Sequence, residues 1–146
     1  MYDAVIRLHF WISSFFILLA VTLLIRSILG WIKNKKYIPV DNWMSLVFLF
    51  FMYIQLFTGI VLYFFLKPDN QPAGISLDQA VKNSSLRFWA IEHVALMLFA
   101  FALTQVGRIY IIRFNSNRDK FRSTTIYYGV SFLLVMVSAG IAMLKK

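Results

Sequence analysis

The chain has 146 residues, of which 60% are apolar and 14% are charged, and its formal net charge is +9. A soluble domain has about 45–50% apolar and about 25% charged residues, so this composition excludes an ordinary water-soluble globule. Because the chain has no cysteine, it cannot form a disulfide, an iron–sulfur site or a thioether-linked haem. The sequence predicts an integral membrane protein in which other side chains hold any metal or haem.

Four apolar runs divide the chain, at about 8–29, 44–66, 88–112 and 124–144. Each run is long enough to cross a hydrocarbon layer of about 30 Å as a helix. Gly30 follows the first run, Pro39 precedes the second, and Pro68 and Pro72 close the second;. The pattern predicts an all-α fold in which 1–146 form one integral membrane domain, a four-helix transmembrane bundle. The first run is too long for a cleaved signal peptide and is expected to remain as a span.

Basic residues cluster at the ends of the apolar runs. This placement is typical of topology signals and of contacts with anionic lipid headgroups, and it excludes nucleic acid as the partner. Nine of the fifteen Lys and Arg lie in or beside the first and third connections, and six lie on the other side. The positive-inside rule therefore predicts that both termini are on the non-cytoplasmic side.

Few polar or ionisable side chains lie inside the predicted spans, and such residues mark functional sites in membrane proteins. They are His9, Gln55, Glu92, His93 and Gln105. The chain has two histidines, and they lie near the starts of the first and third spans. Because these two helices run in the same direction in a four-span bundle, the imidazoles are predicted to reach similar depth near the non-cytoplasmic side.

A b-type haem takes two axial ligands on opposite faces, and helix bundles supply such ligands from facing helices. The pattern predicts one haem b between His9 and His93, which act as the axial ligands of the iron. Arg7 and Arg87 lie where they can pair with haem propionates. Met97 begins a row of residues at helical spacing on the third helix, and the side chains in this row become smaller along the helix. The row leaves room for a haem ring, although rows of small residues are equally typical of helix packing.

Glu92 is open to several interpretations. It is a candidate partner for Arg7, an acceptor for the second nitrogen of His9, or a proton acceptor at a quinol site. The interpretation that its position favours is a structural ion pair between two helices. A further alternative joins Glu92 to His9 and His93 in a metal site or proton relay of a small transporter.

Four groups of residues form a pattern that extends over most of the chain. They are His9, Phe10 and Trp11; Asp41, Asn42, Ser45 and Leu46; Gln55, Leu56, Gly59, Leu62 and Tyr63; and Arg87, Phe88, Glu92, His93, Met97, Thr104, Gly107 and Arg108. In these residues the chain resembles the short four-span cytochrome B-like membrane proteins of bacteria. The resemblance implies haem b, electron transfer in the bacterial cytoplasmic (inner) membrane, and a quinone as a further candidate ligand. The chain departs from the family pattern at Tyr53, where a histidine is frequent.

Together, the residues and the resemblance predict a membrane-embedded, b-type cytochrome-like electron-transfer protein or subunit. Alone it is not expected to be an enzyme, but it fits an electron-transfer subunit of an oxidoreductase complex. The alternative is a cofactor-free accessory subunit of a larger respiratory or transport membrane complex. In both cases the expected partners are the lipid bilayer and a larger membrane protein assembly.

Overall fold

The computed structural model describes residues 1–64 and 77–144. These residues form five helices: α1 (Tyr2–Ile32), α2 (Pro39–Phe64), α3 (Leu77–Lys82), α4 (Ser84–Arg113) and α5 (Asn117–Leu144). Within the described ranges, α1, α2, α4 and α5 are the four helices long and apolar enough to cross a membrane. The prediction of an all-α, four-helix transmembrane bundle is confirmed, and the chain is a multi-pass membrane protein. The predicted breakers Pro68 and Pro72 lie outside the described residues.

The four long helices form a ring in chain order. Helix α1 packs against α2, α2 against α4, α4 against α5, and α5 returns to α1. Helices α1 and α4 therefore lie diagonally across the bundle. This arrangement decides which side chains can face one another across the bundle axis.

Helices α4 and α5 begin before their apolar runs because polar caps start them. The Asn83 side chain accepts hydrogen bonds from the backbone N–H groups of Ser85 and Leu86, at 3.0 and 3.3 Å. The Ser116 side chain accepts one from the backbone N–H of Asp119 at 3.4 Å. Caps of this kind satisfy the N–H groups that the first helical turn leaves free. The helices consequently extend beyond the runs from which the spans were predicted.

Large aromatic side chains fill the middle of the bundle. The Phe48 ring lies with its centroid 4.7 Å from that of Phe16 and 4.7 Å from that of Tyr128. All three rings are buried, and tilted contacts of this kind favour aromatic pairs beyond their buried area;. Because large side chains occupy this level, a planar cofactor has to lie nearer to one end of the bundle.

The stripe of small residues on α4 faces α5. The Thr104 hydroxyl donates to the Ser131 hydroxyl at 2.9 Å, and Ser131 donates to the Ala100 carbonyl oxygen at 2.7 Å. One turn further along, a Cβ atom added at Gly107 would lie 2.5 Å from Cβ of Tyr127. Small residues and hydroxyl pairs are the usual means by which transmembrane helices pack closely. In this part of α4 the small residues pack against α5, so no space is left beside them for a haem ring.

A buried carboxylate stabilises the start of α2. Asp41 is 3% exposed, pairs with the guanidinium group of Arg26 on α1, and accepts the backbone N–H of Ile38 at 2.9 Å. Pro39 occupies the first helical position, where its missing N–H costs nothing;. The carboxylate therefore both caps α2 and joins it to α1.

Replacement of Asp41 by alanine is expected to lower the free energy of unfolding by about 2–3 kcal/mol, because it leaves the Ile38 N–H and the Arg26 guanidinium without their acceptor. The matched control is Asp119→Ala, which breaks the exposed ion pair with Arg122 and should cost less than about 1 kcal/mol. Unfolding in mixed detergent micelles measures both. Equal losses would contradict the distinction between the two carboxylates.

Candidate functional site: two anchored histidines

The first histidine is held by the neighbouring helix. Nδ1 of His9, on α1, lies 2.9 Å from the hydroxyl oxygen of Thr58 on α2. The side-chain amide of Gln55 donates to the His9 carbonyl oxygen at 3.2 Å and to the Ser13 hydroxyl. Through these contacts Thr58 and Gln55 join α2 to α1, and Thr58 orients the His9 ring.

The second histidine is held in the same way by a different pair of helices. Nδ1 of His93, on α4, lies 2.7 Å from the hydroxyl oxygen of Ser138 on α5. The Trp89 ring also contacts the imidazole, with a centroid distance of 5.2 Å and an interplanar angle of 62°. Ser138 is 2% exposed, so this anchor lies inside the bundle.

The two imidazoles lie at one end of the bundle, on diagonally opposite helices. One ring is bound by α2 and the other by α5, the two helices that complete the ring of the bundle. The structure thus places the two histidines that the sequence singles out at the same end of the bundle.

The anchors leave the same nitrogen of each ring available. The Thr58 hydroxyl lies 3.0 Å from the Ile54 carbonyl oxygen, and when it donates its proton there, its oxygen can only accept from Nδ1–H of His9;. The neutral ring then carries a lone pair on Nε2. Across the described ranges, neither His9 nor His93 has a hydrogen bond at Nε2. A hydrogen bond on one ring nitrogen is the arrangement by which proteins orient a metal-binding imidazole.

The interior side chains at this level include small polar residues and the buried ring of Phe88, whose centroid lies 6.1 Å from that of His93. Thr58 and Ser138 are buried, and the half-buried Ser13 bonds to Gln55. Phe16, two turns beyond His9, belongs to the aromatic core in the middle of the bundle. Two imidazoles on diagonally opposite helices are the kind of donor pair by which helix bundles hold a haem.

A π-helical turn precedes the second histidine. Residues Phe88–Glu92 form this turn, and His93 follows directly. The Tyr63 hydroxyl of α2 donates to the Ala90 carbonyl oxygen at 3.3 Å within it. Such single turns are frequent at functional sites because they change the direction in which later side chains point. The sequence carries no clear signal for this turn, since hydrophobic spacing assumes a regular α-helix.

The charged residues near the histidines lie at the surface of this end. Arg87 pairs with Glu92 on the same helix at 3.2 Å, and both side chains are partly exposed. The ion pair is therefore within α4, and it does not join two helices or involve Arg7. Arg7 is exposed on α1, two residues before His9, and Met97 is half-buried four residues after His93.

As a metal site, the three-residue alternative of His9, Glu92 and His93 has no geometric support. Within the described residues, no group of three or more His, Cys, Asp or Glu side chains is arranged to hold a metal ion. Tyr53, at the position where the family pattern often has histidine, is 50% exposed and accepts a hydrogen bond from Gln105 at 2.7 Å. The donors at this end are the two imidazoles.

A second polar cluster lies at the opposite end of the bundle and serves packing. Arg108 donates to the Ser45 hydroxyl at 2.7 Å, and the Tyr128 hydroxyl donates to the Ser45 carbonyl oxygen at 3.4 Å. The Tyr37 hydroxyl, in the first connection, is buried without a hydrogen bond in the described part of the chain. Burial raises the pKa of Tyr37 above its usual value. This cluster joins α2, α4 and α5 and offers no pair of metal ligands.

Sequence reasoning missed one side chain of the site. Ser138 lies in a helix whose small residues predict packing alone, yet its hydroxyl anchors His93. A serine on the buried face of a span is ordinarily a packing residue. Only the position of α5 against α4 distinguishes the two roles.

Comparison of the chain with protein families, curated proteins and solved structures found no match. The fold and the site define a small multi-pass membrane bundle with a two-histidine site at one end. The resemblance to cytochrome B-like proteins stays a prediction.

Proposed function

We propose that this protein is a membrane-embedded, b-type cytochrome-like electron-transfer protein or subunit that binds one haem b between His9 and His93. The observation that carries the proposal is the paired anchoring of the two imidazoles on diagonal helices, each through Nδ1. Haem b requires axial ligands from opposite faces, and diagonal helices of a bundle provide them. Bound haem would supply reversible one-electron oxidation and reduction of iron.

The residues around the histidines have distinct roles in this proposal. In the tautomer that binds iron through Nε2, Nδ1 carries the proton and donates to the Thr58 or Ser138 oxygen. These hydroxyls are positioning residues, because they hold the rings without contacting the iron. The hydrogen bonds also increase the basicity of the ligands.

Arginines at the rim of the site complete the proposed haem environment. Arg7 is exposed and has no ion pair in the described ranges, so its guanidinium is available for a propionate. Arg87 is available at small cost, because its ion pair with Glu92 is exposed and exposed pairs contribute about 0–1 kcal/mol;. Met97, one turn beyond His93, is proposed to contact the macrocycle.

The proposal includes a place for the site in the membrane. With both termini on the non-cytoplasmic side of a bacterial inner membrane, the haem lies near the non-cytoplasmic surface, where a quinol is a candidate electron donor. Because the chain has two histidines, it can ligate one haem with two imidazoles. Electron transfer across the whole membrane then requires a further redox subunit, which favours a larger complex.

A haem titration of the purified protein in detergent tests the proposal. We expect saturation at one haem per chain, a Soret band, and resolved α and β bands in the reduced-minus-oxidised spectrum. A protein that is helical and monodisperse but forms no such complex would refute haem binding. That outcome would favour the cofactor-free accessory subunit, for which co-purification with a larger assembly is the next measurement.

A further inference from the structure

A groove runs along the outside of the bundle between α1 and α5, at the end opposite the histidines. Its mouth has a volume of about 480 Å³ and is lined by Ile28, Trp31, Ile32, Asn34, Arg118 and Thr125. Ile28 and Thr125 also line a second space of about 370 Å³ that continues toward the middle of the helices. The two spaces therefore adjoin along the same two helices, and together they are called the groove, which is independent of the proposed haem site.

Three hydrogen-bond donors surround the mouth of the groove. They are the indole N–H of Trp31, the side-chain amide of Asn34 and the guanidinium of Arg118;. None of them has a side-chain hydrogen bond or ion pair to the rest of the described chain. Asn34 has a left-handed backbone conformation, with φ of 50°, which asparagine tolerates better than most residues;. The mouth is thus lined by three residues whose side-chain donors have no partner in the described part of the chain.

The charge of the mouth is positive. Arg118 is exposed, and the exposed lysines Lys33, Lys35 and Lys36 flank Asn34 in the first connection. The lining of the mouth contains no Asp or Glu. The nearest acidic residue in sequence, Asp119, is already paired with Arg122.

The continuation of the groove is apolar and open because a glycine lies in it. Leu24 and Phe132 are among its lining residues, together with Gly129. A Cβ atom at Gly129 would lie 3.6 Å from Cδ2 of Leu24, which is ordinary contact distance, so a larger side chain there would fill the groove. An extended hydrocarbon chain matches this shape and polarity.

We propose that the groove binds an anionic phospholipid. Its acyl chain lies over Leu24 and Gly129, and its phosphate accepts hydrogen bonds from Trp31, Asn34 and Arg118. The charge of the mouth favours an anionic headgroup over a zwitterionic one, because the latter brings a cation to a basic surface. A partner helix fits less well, since its apolar face would leave three donors unpaired.

The test uses the full chain in nanodiscs of equal parts phosphatidylglycerol and phosphatidylcholine, with retained lipid counted by native mass spectrometry. Phosphatidylglycerol is expected to be retained preferentially by the unmodified protein. Arg118→Glu should reduce its retention about thirtyfold, since each basic residue near an anionic surface contributes about 1 kcal/mol and reversal doubles the change. Gly129→Leu should also reduce retention, without a change in charge.

Matched controls separate the groove from general surface charge. Arg113→Glu makes the same charge change at an exposed position outside the groove, and Gly140→Leu enlarges a glycine that has no neighbouring heavy atom within 4 Å. Both should retain phosphatidylglycerol as the unmodified protein does. Equal loss in Arg113→Glu and Arg118→Glu, or equal retention of both lipids by the unmodified protein, would overturn the proposal. The haem spectrum is expected to be unchanged in all four variants.

Discussion

Replacement of His93 by alanine is expected to abolish the Soret band of the haem-titrated protein, and His9→Ala should have the same effect. Haem b is held without covalent bonds, and the chain has no cysteine that could attach it;. Removal of one of two axial ligands should therefore weaken binding by about a hundredfold or more, because loss of a mere supporting residue already costs about 10–100-fold. Absorption spectra during haem titration measure the effect.

Two further sets of variants make this result specific. Gln105→Ala removes an intramembrane polar side chain that bonds to Tyr53, and it should leave the spectrum and affinity unchanged. Thr58→Val and Ser138→Ala remove the Nδ1 partners and should lower haem affinity about tenfold while the low-spin spectrum persists. If either histidine variant keeps the full spectrum at unmodified affinity, that histidine is not a ligand. Circular dichroism and gel filtration establish that each variant is folded.

Enlargement of Gly107 is expected to cause a large loss of stability. An added Cβ atom would lie 2.5 Å from Cβ of Tyr127 and 3.2 Å from Cε1 of Tyr128. Because Cβ of Tyr127 is attached directly to the backbone, α4 and α5 have to move apart. Gly107→Ala should therefore lower the free energy of unfolding by about 3 kcal/mol, and Gly107→Leu should prevent stable folding.

The control for Gly107 is another glycine in a span. Gly140 has no heavy atom within 4 Å of an added Cβ, and Gly140→Ala should change stability by less than about 1 kcal/mol. Thermal unfolding in detergent compares the two. Equal losses at both positions would show that the close approach of α4 to Tyr127 does not control stability.

The number of spans follows from the sequence because a hydrocarbon layer demands long apolar helices. The runs at about 88–112 and 124–144 predict α4 and α5, although both helices begin earlier than their runs. The difference arises because a capped helix can begin in the polar interface of the membrane. Its first turns are then polar, and an apolar run does not reveal them. The prediction from composition therefore concerns the membrane-crossing part of each helix.

The small residues of α4 show why packing could not be assigned from a pattern. Ala100, Thr104 and Gly107 at helical spacing are compatible with a ring or with a helix beside them. In the structure, α5 occupies that face through Ser131 and Tyr127. Whether a cofactor ring or a second helix lies against these small residues depends on which helices pack together. The spacing of residues within one helix contains no information on that pairing.

By itself, the sequence determined that this protein is a helical membrane bundle and that its two imidazoles enter from the starts of parallel spans, because both properties depend on composition and on position along the chain. Only the tertiary structure decided that Thr58 and Ser138 hold those imidazoles through Nδ1, that Glu92 pairs within its own helix, and that α1 and α5 leave a groove beside Arg118. The physical reason is that these contacts join residues distant in sequence. They depend on the order of helices around the bundle and on a π-helical turn, neither of which leaves a periodic signal in the chain.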